Sequence, residues 1–175
     1  MSAPPTSLIL EPESAILQIG DPRLRDRALP IPDPHAPTIQ QLGDVLLAMT
    51  QAAQGVGIAA PQLGYGLQMI VVASHPNQRY PDAPEMVPTL MMNPEVIAVS
   101  GDHELGWEGC LSVRGLRGQV ERATSVVVRY GDRAGREQTL EASGFVARII
   151  QHEIDHLHGI LFPDRLASPN GFDLK

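Results

Sequence analysis

The sequence has few aromatic residues and a single cysteine, and it lacks both a basic charge excess and a long apolar run. Aromatic residues make up 4% of the 175 residues and hydrophobic residues 43%, so aliphatic side chains must fill the core. Cys110 cannot form an intrachain disulfide because it has no second cysteine to pair with. The net charge of −7 provides no basic field for nucleic acid, and no apolar run approaches the ~18 residues that a transmembrane helix needs. We therefore expect no nucleic-acid and no membrane partner.

The N-terminal segment "MSAPPTSLILEPES" also lacks basic residues. It carries Glu11 and Glu13 but no lysine or arginine, which argues against a secretory or organellar targeting peptide. The length of the whole chain is about that of one domain. We expect residues 1–14 to form a flexible lead and residues 15–175 to form a single domain, in a cytoplasmic protein.

The spacing of apolar residues predicts an α+β fold. One helix is expected over "TIQQLGDVLLAMTQAAQG", where Leu42, Leu46 and Met49 recur at helical spacing. Strands are expected at "LQMIVVAS" and "PEVIAVS", and a hairpin over residues 124–143 with its turn near "GDRAG". The four prolines of "HPNQRYPDAPEMVP" predict a long loop between the strands. A second helix is expected over residues 143–158, so we predict antiparallel strands packed around a central helix near the C-terminus.

That second helix carries "QHEIDHLHG", which has the H-E-x-x-H pattern of a metal site. Because a helix turns about 100° per residue, His152 and His156 lie on one face and can bind a single ion. Glu153 flanks this face and can reach a water molecule as a general base, whereas His158 points away. The alternative is an amphipathic helix with incidental surface histidines.

The third ligand must come from upstream, because no glutamate follows His156. The segment "GWEGCLSV" is expected to follow a strand, and its glycines let the backbone approach a ligand closely. Cys110 with two histidines would leave a fourth coordination position open, which is typical of a catalytic metal ion. Taken alone, a lone cysteine is more often a small buried hydrophobic residue.

A glycine-bearing segment, "GVGIAAPQLG", lies further upstream at residues 55–64. It matches neither the phosphate loop G-x-x-x-x-G-K nor a dinucleotide-binding turn. Its glycines leave backbone groups open to an extended peptide, and Gln62 can donate a hydrogen bond to a developing oxyanion. The alternative is a helix cap followed by a tight apolar turn.

The segments "GVGIAAPQ", "EGCLS" and "QHEIDHLHG", in this order, resemble the three signature motifs of the peptide deformylases. The resemblance runs from about Ile16 to about Leu166 and so covers most of the chain. It implies a catalytic domain that removes the formyl group from the N-terminal formyl-methionine of new bacterial polypeptides. It also implies one divalent metal ion, Fe(2+) natively, which Zn(2+), Ni(2+) or Co(2+) can replace.

The resemblance also assigns roles to individual residues. The metal ligands would be Cys110, His152 and His156, with Glu153 as general base and acid. The oxyanion would be bound by Gln62 and by the backbone N–H of Leu111. The peptide would be held as an added strand by backbone groups of Val56, Gly57 and Gly109. The methionine pocket would be bordered by Phe145, Arg148 and Ile149.

Further positions match the family or depart from it. Arg117 and Arg122 match basic positions, and we expect Arg122 to contact Glu108 or Asp155. The family commonly has proline where this chain has Arg114. Nine residues follow Leu166, whereas some relatives extend into a C-terminal helix that contacts the ribosome, so at most a transient ribosome contact is expected.

Two other classes of protein share parts of this pattern. A peptidase of the H-E-x-x-H type would need a downstream His or Glu as third ligand, but the C-terminal segment has no glutamate and its one histidine, His158, points away. A non-catalytic metal-binding module should use four protein ligands, with no need for Glu153 or Gln62. Formate release from a formylated peptide distinguishes both from a deformylase.

Overall fold

The computed structural model describes residues 16–169 and 171–174, and the lead expected at residues 1–14 lies outside them. The described residues contain two α-helices, α1 (Pro37–Ala52) and α2 (Gly144–Leu157). The strands are β1 (Gly57–Ala59), β2 (Met69–Val72), β3 (Thr89–Val99), β4 (His103–Cys110), β5 (Val113–Ala123), β6 (Ser125–Gly131), β7 (Glu137–Ser143) and β8 (Phe172–Leu174). Short 3₁₀ helices span Pro22–Arg25, Ala60–Leu63 and Phe162–Arg165.

The strands form two antiparallel sheets. The first has the order β1-β2-β3-β6-β7 and the second the order β4-β5-β8. Helix α2 contacts strands of both sheets, so it is the central element of the fold. The predicted α+β architecture, with antiparallel strands around a helix near the C-terminus, is confirmed.

Helix α1 covers the outer side of the first sheet through an apolar stripe. Its buried residues include Leu42, Leu46 and Met49, as the helical spacing predicted. Pro37 occupies the first turn, where a missing backbone N–H breaks no helical hydrogen bond. The helix ends at Ala52, and the chain reverses through Gln54, whose φ is +49°.

The strand predictions were partly wrong. The 124–143 hairpin is confirmed as β6 and β7, but β3 begins at Thr89, five residues before the predicted strand. The β4–β5 hairpin was not predicted, and "GWEGCLSV" was expected to follow a strand, whereas Gly106–Cys110 lies inside β4. Glycines and charged residues interrupt the apolar alternation that would have predicted these strands. In β4, for example, the buried position 108 is a glutamate rather than an apolar residue.

Helix α2 is buried on nearly every side. Ten of its fourteen residues are buried, including Arg148, His152, Glu153, Asp155 and His156. Apolar residues on its other faces, such as Ile150 and Leu157, join the core beneath the five-stranded sheet. Buried polar side chains need partners, and Arg148, His152 and Asp155 of α2 find theirs on β4 and β5 of the second sheet. Neither helix of the described residues has the length and apolar character needed to span a bilayer.

Candidate metal centre

Three side chains from two elements converge on one point. One ligand atom each from Cys110, His152 and His156 lies within 4.8 Å of the others, and all three residues are buried. The Cys110 Sγ atom is 3.4 Å from His156 Nε2. His158, by contrast, is exposed and its Nδ1 lies 3.1 Å from the carbonyl of Ile154. The structure thus brings together the three side chains that the sequence singled out.

Strand β4 delivers Cys110 to this point. Residues two apart on a strand face the same side, so Glu108 and Cys110 both face α2 and both are buried. The β4–β5 register shifts between Gly109 and Cys110. Such irregularities re-aim a side chain near a site. The backbone N–H of Ser112 then lies 3.4 Å from the Cys110 sulfur as a hydrogen-bond donor.

Glu108 orients the first histidine. Its Oε2 atom is 2.8 Å from His152 Nδ1, which leaves His152 Nε2 directed at the cluster. A carboxylate on the far nitrogen of a metal-binding imidazole fixes the tautomer and the ring plane. No pattern in the sequence indicated this role of Glu108.

Arg122 links the two elements that carry the cluster. Its guanidinium donates to Glu108 at 2.9 and 3.0 Å and to Asp155 at 2.6 Å. The prediction that Arg122 contacts Glu108 or Asp155 is therefore confirmed, and the contact is to both. Arg148 also donates to Glu108, at 2.9 Å, and Arg165 donates to Asp155. Two buried carboxylates thus each receive two arginines.

The pKa values of the two buried glutamates, Glu108 and Glu153, are shifted in opposite directions. Burial would raise the pKa of Glu108, but hydrogen bonds from His152 and Arg122 outweigh it and hold that pKa far below its usual value. Burial raises the pKa of Glu153 to about 7. Glu153 Oε2 has no hydrogen-bond partner among the described residues. Glu108 is thus fixed as an anion in an ion network, whereas Glu153 is left unpaired beside the cluster.

The two histidines also differ. Burial lowers the pKa of His156 well below its usual value, and the neighbouring His152 lowers it further. Burial acts in the same direction on His152, but hydrogen bonds with Cys110 and Glu108 raise its pKa above the usual range. A metal ion binds an imidazole in its neutral form, which is the form that the lowered pKa of His156 favours.

The donor set fits a divalent ion. A thiol and two imidazoles suit Fe(II) or Zn(II) rather than Mg(II) or Ca(II), which prefer oxygen. The unpartnered oxygen of Glu153 supports the same interpretation, because a buried polar atom without a partner is costly unless a ligand or water meets it.

Gln62 contacts the cysteine of the cluster. Its carbonyl oxygen accepts from the Ala59 backbone N–H at 2.8 Å. Its amide nitrogen is 3.1 Å from the Ser112 hydroxyl and 3.5 Å from Cys110 Sγ. The side-chain amide is thus held with its donor end towards the cluster. Leu111, whose backbone N–H is the other predicted oxyanion donor, lines one cavity together with Gln62 and Cys110.

The cleft above the cluster lies between the open edges of the two sheets. β1 is an edge strand of the first sheet and β4 of the second, and Val56, Gly57 and Gly109 all line the cavity between them. The Val56 carbonyl accepts from Ala73, so antiparallel alternation turns the peptide groups of Gly57 away from β2. An extended peptide could therefore pair with both edges.

Phe145, Arg148 and Ile149 line the same cavity, as predicted for a pocket beside the cluster. Arg148 also forms hydrogen bonds that fix its guanidinium, in addition to lining the pocket. Its guanidinium also donates to the carbonyls of Val120 and Glu104, both at 2.8 Å. Gly106 leaves room for it, because a Cβ there would lie 2.7 Å from the guanidinium carbon.

The long loop over residues 75–88 contributes residues that the sequence did not single out. Asn77, Arg79 and Tyr80 line the cavity, and the backbone N–H of Gly109 donates to the Tyr80 hydroxyl at 3.1 Å. The prolines of this segment identified it as a loop, but they do not show which side of the fold it covers.

The chain matches known proteins over most of its length. The sequence profile of the family described as Polypeptide deformylase matches residues 13–171. Peptide deformylase 2 of a Nostoc species is 51% identical over 153 residues, which cover 87% of this chain and 86% of that protein. Peptide deformylase 2 of Bordetella bronchiseptica is 47% identical over 152 residues, with the same shares covered.

Solved structures show the same fold. The crystal structure of a class I type b peptide deformylase from Acinetobacter baumannii with bound Met-Ala-Ser superposes with a TM-score of 0.84 at 46% identity, covering 86% of this chain and 96% of that one. A peptide deformylase from Synechococcus elongatus in complex with actinonin gives a TM-score of 0.78 at 38% identity, covering 87% of this chain and 78% of that one.

Proposed function

The chain belongs to the polypeptide deformylase family, and we propose that Cys110, His152 and His156 hold the metal ion on which this family depends. The protein is an enzyme that removes the N-formyl group from the N-terminal formyl-methionine of newly synthesised polypeptides by hydrolysis, releasing formate. The convergence of three donor atoms within 4.8 Å carries the assignment of the site residues.

We assign the proton transfers to Glu153. Its carboxylate is buried beside the cluster, with one oxygen unpartnered among the described residues. As general base it takes a proton from the attacking water, and as general acid it passes that proton to the departing amine nitrogen. The formyl carbon carries a hydrogen instead of a chain, so a narrow cleft admits it and excludes an internal peptide bond.

The oxyanion that develops on the formyl oxygen is assigned to Gln62 and to the backbone N–H of Leu111. Gln62 is pre-oriented because its carbonyl end is tied to Ala59 and its amide end points at the cluster. Donors that are fixed before the reaction stabilise such charge without reorganisation. Ser112 shares the Gln62 amide and contributes to its orientation.

The peptide is assigned to the cleft between β1 and β4. Backbone groups of Gly57 and Gly109 would pair with it as with an added strand. Val56, whose carbonyl already accepts from Ala73, would line the cleft beside them, and the side chains of Phe145, Arg148 and Ile149 would border the methionine. The related deformylase from Acinetobacter baumannii was crystallised with a Met-Ala-Ser peptide bound. A methionine-first peptide is the product that this reaction leaves.

The ion, when bound, supplies a Lewis acid that lowers the pKa of water and polarises the formyl oxygen. We propose Fe(2+) as the native ion, with Zn(2+), Ni(2+) or Co(2+) as substitutes. The mixed sulfur and nitrogen donor set supports this choice. Loading the protein with each ion separately and measuring activity and oxygen sensitivity tests it, because an Fe(2+)–thiolate site loses activity in air.

The nature of the substrate supports a cytoplasmic location, where new chains are made. Among the described residues after Leu166, Phe172–Leu174 form the strand β8 and none lies in a helix. β8 pairs with β5 of the same chain.

The proposed activity is tested with matched peptides. Metal-loaded protein should release formate from formyl-Met-Ala-Ser and leave acetyl-Met-Ala-Ser and Met-Ala-Ser intact. Cleavage of the Met–Ala bond would indicate a peptidase, and metal binding without any hydrolysis would indicate a non-catalytic module.

A further inference from the structure

The phenol of Tyr80 reaches into the cleft from the long loop at residues 75–88. Its hydroxyl accepts a hydrogen bond of 3.1 Å from the backbone N–H of Gly109. Gly109 lies in β4, whose other side pairs with β5. The N–H that binds Tyr80 is therefore on the open edge of β4, which borders the cavity above the metal centre.

Two aromatic contacts hold the Tyr80 ring in this place. Its centroid lies 4.7 Å from that of Phe145, which borders the proposed methionine pocket. The guanidinium of Arg117 lies 5.5 Å from the Tyr80 ring and 5.9 Å from the ring of Trp107. Aromatic pairs and cation–π contacts of this kind stabilise the position of a ring.

The loop itself is built to present Tyr80. The side-chain oxygen of Asn77 accepts hydrogen bonds from the backbone N–H groups of Arg79 and Tyr80, at 2.9 and 3.0 Å. Further along, the backbone N–H of Met86 donates to the Ser74 carbonyl at 3.0 Å. Prolines restrict the remaining backbone, so Tyr80 is carried on an ordered turn.

We propose that Tyr80 is a positioning residue that occupies the Gly109 N–H until a peptide carbonyl replaces it. This inference rests on the proposed function, in which Gly109 pairs with the substrate. An N–H group has one hydrogen to donate, so the phenol and the peptide carbonyl compete for it. Tyr80 therefore sets how tightly peptides bind and leaves the chemical step unaffected.

The hydroxyl alone is removed in Tyr80→Phe, which keeps the ring and its contacts. The net contribution of an intramolecular hydrogen bond is small in water, because each group exchanges a hydrogen bond with water for one with the protein. We therefore expect KM for formyl-Met-Ala-Ser, and the calorimetric Kd of Met-Ala-Ser, to fall about two- to tenfold. The kcat should stay within about twofold of the wild type, because the phenol is displaced before the reaction.

Tyr130→Phe is the matched control. It removes a phenol hydroxyl from β6, outside the lining of the cleft, and should leave both KM and Kd unchanged. Amide hydrogen exchange at Gly109 gives a readout without turnover. The exchange should accelerate in Tyr80→Phe and stay as in the wild type in Tyr130→Phe.

The outcomes separate this inference from the proposed function. An active wild type whose KM and Kd are unchanged or raised by Tyr80→Phe overturns the role of Tyr80 alone, since the phenol would then be neutral or part of the bound complex. An inactive wild type overturns the proposed function, and the Kd and exchange measurements still decide whether Tyr80 competes with a peptide.

Discussion

At the scale of single residues, Gly57 leaves little room beside Glu153. A Cβ at Gly57 would lie 2.6 Å from Glu153 Oε1, and Glu153 is buried on a packed helix, so its carboxylate must shift. A shift of a catalytic group by about 1 Å costs on the order of 10²-fold in rate. We predict this loss in kcat/KM for Gly57→Ala, measured by formate release.

Gly101→Ala is the control for this substitution. A Cβ at Gly101 meets nothing within 4 Å and needs no unusual backbone angle, so activity and stability should match the wild type. Equal activity in the two variants would show that Glu153 does not need the space beside Gly57.

Cys110 is predicted to bind the ion as a thiolate. Protein loaded with Co(II) should show a sulfur-to-cobalt charge-transfer band in the near ultraviolet, and Cys110→Ser should lose it. The chain has one cysteine, so the band has one possible source. Zn(II)-loaded protein is the control, because its filled d shell gives no such band. A band that persists in the serine variant would contradict the assignment.

The residues of the candidate site differ in how far the sequence could identify them. His152, Glu153 and His156 could be singled out by their H-E-x-x-H spacing, and Cys110 as the one thiol of the chain. Tyr80 could not, since its role depends on the path of a proline-rich loop. Nor could the contact of Arg148 with Glu108, because a long arginine reaches partners that the spacing on its own helix does not indicate.

At the scale of elements, the contact between α2 and the β4–β5 hairpin depends on buried ion pairs. Arg122 is 5% exposed and joins Glu108 of β4 to Asp155 of α2. Removing one partner of a buried pair leaves an uncompensated charge and costs about 3–5 kcal/mol. We predict that Arg122→Met lowers the free energy of unfolding by this amount, measured in urea with the metal content held equal.

Arg129→Met provides the comparison. Arg129 pairs with Glu95 on the surface, with side chains 45% and 63% exposed, and such pairs contribute about 0–1 kcal/mol. If the two substitutions cost the same, the buried pairs of Arg122 do not hold the hairpin to α2.

The elements were predictable where one physical signal dominates. Helix α1 and the β6–β7 hairpin have a clear apolar period and clear turn residues, so both were predicted. The β4–β5 hairpin was missed because its inward positions include Glu108 and Arg122, which are stable there only through partners on another element. Pairing between distant elements is not encoded in any local window of sequence.

At the scale of the whole molecule, the charge is acidic but the cleft has a basic rim. The net charge is −7, yet exposed Arg79 and Arg114 line a cavity that is also lined by Cys110 and Leu111 of the candidate site. Opposite charges attract over about 8–10 Å at moderate salt. We predict that substrates with Asp at the third or fourth position have a higher kcat/KM than those with Lys.

Arg114→Ala should reduce this Asp-to-Lys ratio, and added salt should reduce it in the wild type. Arg136→Ala is the control, because Arg136 is exposed and pairs with Asp132 away from the cleft. An Asp-to-Lys ratio that Arg114→Ala leaves unchanged would rule out an electrostatic role for Arg114 in substrate choice.

The central claim is that Glu153 carries the proton transfers of deformylation beside a metal ion held by Cys110, His152 and His156. The most direct test is formate release from formyl-Met-Ala-Ser by wild type and Glu153→Gln at equal, measured metal content. Glutamine keeps the size of the side chain but cannot accept the proton. We predict a fall in kcat of ~10²-fold or more in a variant that keeps its metal and its fold. Near-native turnover in Glu153→Gln would contradict this role of Glu153.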